Sequence, residues 1–165
     1  VLRRLAVAAR ALPEPYGLVV LDGWRPPGFQ RELLAYYRDR YGGGTEGYVA
    51  DPDDRRVVPP HVTGGAVDLT LSAGGVPLAL GTDFDDFTER AHLAALEGRT
   101  ADRLPAALRR LLARVLSAQG FAPYPLEWWH WSHGDQRWAA QHGLPRSRYA
   151  AVGAPPASST AAASR

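Results

Sequence analysis

The sequence predicts an α+β fold, a small antiparallel sheet flanked by helices, on three observations. Two stretches, one at the start and one at 105–119, repeat apolar residues at helical spacing. Residues 67–71 and 76–80 flank a Ser-Ala-Gly-Gly turn and read as a β-hairpin. Residues 127–132, Glu-Trp-Trp-His-Trp-Ser, read as an aromatic-rich strand.

The elements follow in order. VLRRLAVAARAL is a helix without a capping residue, and Pro13 and Pro15 end it. Residues 17–21, Gly-Leu-Val-Val-Leu, form a short buried strand that stops in the Asp-Gly-Trp-Arg-Pro-Pro turn. A second helix over 29–41 is spaced through Phe29, Leu33, Tyr36 or Tyr37, and Tyr41 and halts at three glycines. Residues 42–60 are rich in Gly, Asp and Pro and form a long surface loop, a kind of segment that is often functional. In the helix at 105–119, Leu108, Leu111, Leu112 and Val115 make one stripe, with Gly120 as terminator. Domain organisation is one domain over 1–150 and a Pro-, Ser- and Ala-rich tail over 151–165, expected to be disordered.

Composition bounds the function. A chain of 165 residues can bury roughly two thirds of its unfolded surface in one core. There is no Cys, which excludes disulfides and thiolate metal sites and leaves His and carboxylates as ligands. Net charge is only +2, and the basic residues are all Arg. One modest cluster, Arg103, Arg109, Arg110 and Arg114, reads as the solvated face of a helix, so no nucleic-acid partner is expected. No stretch approaches the ~20 apolar residues of a membrane span, and no signal peptide is visible, so the expectation is a cytoplasmic protein without a membrane partner. The chain opens on Val1 in mid-pattern, which raises the expectation of residues upstream.

The chemistry concentrates in two segments, His61-Val-Thr-Gly-Gly-Ala-Val-Asp68 and Glu127-Trp-Trp-His130. They offer two imidazoles and a carboxylate to a metal, and a further carboxylate beside the last imidazole. A catalytic zinc takes three such ligands and keeps a position open for water, which a non-ligating carboxylate deprotonates. By spacing alone the pairs also read as a loop His with a strand-end Asp, and as an exposed Glu with a half-buried strand His. Residues three apart point to opposite faces of a regular strand, so Glu127 must sit where the strand begins irregularly. Gly64 and Gly65 let the chain turn between His61 and Asp68. Arg25, in a tight turn, is either a surface ion pair or a guanidinium aimed at an oxyanion or carboxylate. Asp83, Asp85 and Asp86 would ordinarily be helix N-terminal carboxylates; one of them could instead bind a substrate amine. His92, His133 and His142 read as surface or cap residues.

The motifs DGWRP, HxxGxAxDLT, GTDFDxF followed by ERxH, and GFxxYxxEWWH occur in this order between residues 17 and 140. In them the chain resembles the D-alanyl-D-alanine dipeptidases. The resemblance implies one zinc ion held by His61, Asp68 and His130, Glu127 as general base and Arg25 stabilising the tetrahedral intermediate. It further implies Asp85 for the free amino group of a small dipeptide. The wider superfamily includes carboxypeptidases and endolysins acting on peptidoglycan stem peptides, and zinc-binding relatives without catalysis. One departure concerns Pro59, which stands two residues before His61 where family members often carry Ser. The oligomeric state is left open.

Overall fold

The computed structural model describes residues 1–43, 45–54 and 56–153. Helices α1 (Leu2–Arg10), α2 (Pro27–Tyr41), α3 (Arg103–Ser117) and α4 (Gln136–Gln141) surround one antiparallel sheet, an α+β arrangement. Its strands are β1 (Tyr16–Asp22), β2 (Ala66–Ala73), β3 (Val76–Pro77), β4 (Ala122–Tyr124) and β5 (Glu127–Ser132). They run β1-β2-β5-β4 across the sheet, and β3 pairs with the end of β2.

The sequence of β2 alternates Val67, Leu69, Leu71 with Asp68, Thr70, Ser72, and both sets are buried. The apolar set packs with Leu5 and Ala8 of α1, with Leu108, Leu112, Val115 and Leu116 of α3, and with Trp128, Trp129 and Trp131. Alternation therefore divides the sheet into a face that makes the core and a face that carries polar groups. On that polar face Asp68 is the cross-strand partner of His130.

Several expectations need correction. The strand at 17–21 is an edge strand with Val20 53% exposed, because it pairs only with β2. The second hairpin strand is cut to Val76–Pro77, although Leu78 N still donates to Leu71 O (2.9 Å). The Asp83–Asp86 segment begins no α-helix; Asp85 lies in a turn with φ 58°. His133 is buried against Phe121, Trp138 and Tyr149, and burial lowers its pKa. The tail expected to be disordered lies, from residue 154 onward, outside the described residues; Val152 still donates to Val62 O (2.8 Å).

The arginine cluster divides. Arg103, Arg110 and Arg114 are exposed, as expected of a solvated face, but Arg109 is 1% exposed. Its Nε donates to Leu80 O (2.7 Å) and its Nη1 to Arg90 O (3.1 Å) and His92 O (2.7 Å). Burial pushes its pKa down to about 10, so it remains charged at neutral pH. Arg109 therefore pins both ends of the segment that carries Asp85 onto α3. Arg109→Met should cost about 3 kcal/mol, because carbonyls are left buried without donors. In a thermal melt this is roughly a 10 °C loss, and a shift under about 2 °C would show that the carbonyls find other donors.

Candidate active site

Each candidate residue is set by local structure. His61 sits in a 3₁₀ turn, Pro60–Thr63, which ends at Gly64 in the left-handed region (φ 67°). A Cβ on Gly65 would lie 2.9 Å from Thr63 Oγ1 and 3.1 Å from His133 O. The two glycines thus allow the chain to reverse and enter β2 within a few residues of His61. Asp68 follows on β2, beside His130 on β5.

Irregularities in the sheet aim the remaining groups. In β1, Val20 pairs with Leu69 and Asp22 with Asp68, so Leu21 is an extra residue in a bulge. The bulge brings Asp22 level with Asp68, and Arg25 spans both carboxylates: Nε to Asp22 Oδ2 (2.7 Å), Nη2 to Asp68 Oδ2 (3.0 Å). Its Nη1 reaches Gln30 Oε1 (3.4 Å) on α2. Between β4 and β5 the register jumps from Pro123–Trp131 to Tyr124–Glu127. That break is the irregular strand start that Glu127 requires, and it leaves Glu127 Oε2 3.7 Å from His130 Nδ1.

His61, Asp68 and His130 form a buried trio whose ligand atoms lie within 4.8 Å of one another. His130 Nδ1 is 3.0 Å from Asp68 Oδ1, and His61 Nε2 is 3.3 Å from Asp68 Oδ2. Each member is also held from behind. His61 Nδ1 donates to Gly23 O (2.7 Å), which leaves the Nε2 lone pair facing the trio. Ser132 Oγ lies 3.4 Å from His130 Nε2, and its hydroxyl can accept from an Nε2–H there. Such outer partners are what ligating imidazoles require. Among the described residues this donor set fits a divalent metal ion.

The charges fit as well. Burial lowers the His130 pKa to about 4 despite Asp68, so the ring is the neutral form that ligates. Burial opposes ionisation of Asp68, but the two imidazoles outweigh it and hold its carboxyl far below the usual range. Glu127 moves the other way: burial, then the charge of Asp68, raise its pKa well above the ordinary value. Carboxylates pushed apart in this manner mark a division of roles. Asp85, half-buried, is raised by burial against a hydrogen bond from Tyr37 Oη of α2.

The pocket above the trio holds about 440 Å³ of space, its open mouth included. All six sequence-predicted residues line it: Arg25, His61, Asp68, Asp85, Glu127 and His130. The long loop expected to be functional supplies a wall through Tyr48, Val49 and Ala50, and Gln30 Nε2 ties it down at Ala50 O (3.0 Å).

A family model described as D-ala-D-ala dipeptidase matches residues 2–147. The chain belongs to the D-ala-D-ala dipeptidase family. It is similar to a D-alanyl-D-alanine dipeptidase of Synechocystis sp., 30% identical over 179 residues, which cover 86% of this chain and 70% of the relative. One from Enterococcus faecium is 33% identical over 143 residues, covering 76% of this chain and 66% of the relative. One from Enterococcus faecalis is 30% identical over 152 residues, covering 82% and 70%. The chain thus spans about two thirds of the length of these relatives. Membership makes it a peptidase of a metallopeptidase family, and its buried His-Asp-His trio is a group that could bind the metal. Among the described residues no helix is long and apolar enough to cross a membrane.

Sequence reasoning on this dipeptidase-family chain missed some of the pocket. Gln30, which lines it, and Tyr37, which holds Asp85 from behind, lie on α2, where helical spacing reads them as ordinary face residues. Arg137 lines the pocket from α4, a helix the sequence reading did not contain. Its signal was present, since Asp135 caps the helix by accepting from Trp138 N (2.8 Å).

Proposed function

We propose that this chain hydrolyses D-alanyl-D-alanine, or a closely related D,D-dipeptide, to free amino acids, with one zinc ion held by His61, Asp68 and His130. The observation that carries the reading is the buried trio with a second, differently tuned carboxylate, Glu127, within 3.7 Å of it. A bound zinc ion would supply Lewis acidity toward the scissile carbonyl and toward water at neutral pH.

The chain's own residues supply the rest. Glu127, its pKa raised by burial and by the charge of Asp68, takes the proton of the attacking water and returns it to the leaving amine. Arg25 is clamped by Asp22, Asp68 and Gln30, which leaves N–H groups of Nη1 and Nη2 uncommitted for the developing oxyanion. Because the clamp is made before substrate arrives, no reorganisation is needed as charge develops. Asp85, oriented by Tyr37, faces the pocket as the partner of the substrate's ammonium.

Asp85→Asn should therefore raise KM for D-Ala-D-Ala by about 10- to 100-fold with a smaller change in kcat, as expected for loss of one charged hydrogen bond. An unchanged KM would remove Asp85 from substrate binding. The reading as a whole is tested by alanine release from D-Ala-D-Ala, L-Ala-L-Ala and a stem pentapeptide by zinc-loaded protein. Release from the D,D-dipeptide alone is expected. Equal turnover of the pentapeptide would favour a stem-peptide carboxypeptidase instead.

A further inference from the structure

A dipeptide carries two charges, and the roles above account for the ammonium but not for the terminal carboxylate. Two residues span at most about 7 Å, so a group that binds this carboxylate must line the same pocket. Arg25 is held by Asp22, Asp68 and Gln30 with its remaining N–H groups assigned to the oxyanion, and the histidines belong to the metal trio. Pro59 and Pro60 on the pocket wall have no N–H to donate.

Arg137 remains. Its Cζ lies 3.3 Å from the centre of the Tyr124 ring, and that ring meets His130 edge-on at 5.8 Å. Stacking of this kind fixes a guanidinium's plane while its N–H groups stay available at the rim. The base of the side chain is fixed as well. Neighbouring Trp138 is buried with Ala122 and Ala139 and donates from Nε1 to Gly120 O (2.8 Å). Yet Arg137 forms no ion pair among the described residues, and its buried Nη1 has no hydrogen-bond partner among them. A buried, unpaired guanidinium nitrogen is costly unless something fills the position. Arg is also the side chain best matched to a carboxylate, through two parallel N–H···O bonds.

We infer that Arg137 binds the C-terminal carboxylate of the substrate, opposite in role to Asp85, and so restricts the site to peptides that end one residue beyond the scissile bond. The inference rests on the dipeptidase reading and deepens it. Peptides extended or amidated at the C-terminus lack the anion at that position and leave Nη1 unsatisfied, which discriminates against them.

The test compares D-Ala-D-Ala with D-Ala-D-alaninamide on wild type, Arg137→Gln and Arg137→Lys, each first checked for an unchanged melting temperature. Wild type should prefer the free acid. Arg137→Gln should raise KM for the acid about 10- to 100-fold with kcat nearly unchanged, leave the amide unaffected and so abolish the preference. Arg137→Lys, with a point charge, should fall between. Binding provides a second readout: in a Glu127→Gln background, calorimetric affinity for D-Ala-D-Ala should drop by the same factor when Arg137→Gln is added. Turnover of D-Ala-D-Ala with the acid–amide preference intact in Arg137→Gln overturns the inference and leaves the dipeptidase reading standing. Wild type that turns over neither compound takes both down together.

Discussion

Replacing Glu127 by Gln should lower kcat on D-Ala-D-Ala by about 10³-fold, within the range expected for loss of a general base, while bound metal stays at the wild-type level. Gln keeps the shape of the side chain, and Glu127 is not one of the three clustered ligands, so the metal trio is undisturbed. Steady-state rates and metal content on the same preparation decide it. A variant within about tenfold of wild type would return the base assignment to open choice. The substitution also has a thermodynamic signature in metal-depleted protein. Burial raises the Glu127 pKa above the unfolded value, which is near 4.3, so the folded state binds more protons than the unfolded one above that pH. Stability therefore falls as pH rises through that window. Glu127→Gln removes the liability, so it should match wild type near pH 4 and melt higher near pH 8. A gain of the same size at both pH values would point to packing instead.

The second large effect is expected at Asp68. It receives Arg25 Nη2 at 3.0 Å, lies 3.0 Å from His130 Nδ1 and is 2% exposed. Asp68→Ala removes the anion that these groups share and strands Arg25 without one of its carboxylates. Breaking a buried charge pair by deleting one partner costs about 3–5 kcal/mol, and turnover should be lost with the metal. Chelation of the wild type should also abolish turnover. With metal at about 1,000 times its dissociation constant, chelation removes about 4 kcal/mol of stability, which is roughly 10 °C in a melt. Asp68→Ala should show no further drop with chelator. If chelation leaves the wild-type melting temperature unmoved, the trio is a hydrogen-bonded cluster and not a metal site.

Both predictions follow from groups that the sequence itself displays. His61 and Asp68 are separated by a two-glycine turn, and Glu127 and His130 share one strand, so four of the site residues come from two short segments. Their chemistry was legible because local spacing and residue type suffice to suggest it. Helices α1 and α3 were legible for the same reason, since an apolar stripe at helical period needs only near neighbours to be read.

Other features depend on what lies across the fold. The bulge at Leu21 decides that Asp22 stands level with Asp68, and only then can one arginine hold both. Arg109 reads as a solvated helix residue until the carbonyls of Leu80, Arg90 and His92 are brought to it. Tyr37 meets Asp85 across 48 positions of sequence. Arg137 reaches the site only because α4 packs its Trp138 beside β4 and turns the guanidinium onto Tyr124. The sequence by itself displayed the donors and carboxylates that the pocket gathers and the stripes of α1 and α3, because period and residue type act over a few residues. The tertiary structure decided which charges are buried, which are paired and which remain open to a substrate. Desolvation and Coulomb energy depend on separation in space, and strand register and helix packing set that separation.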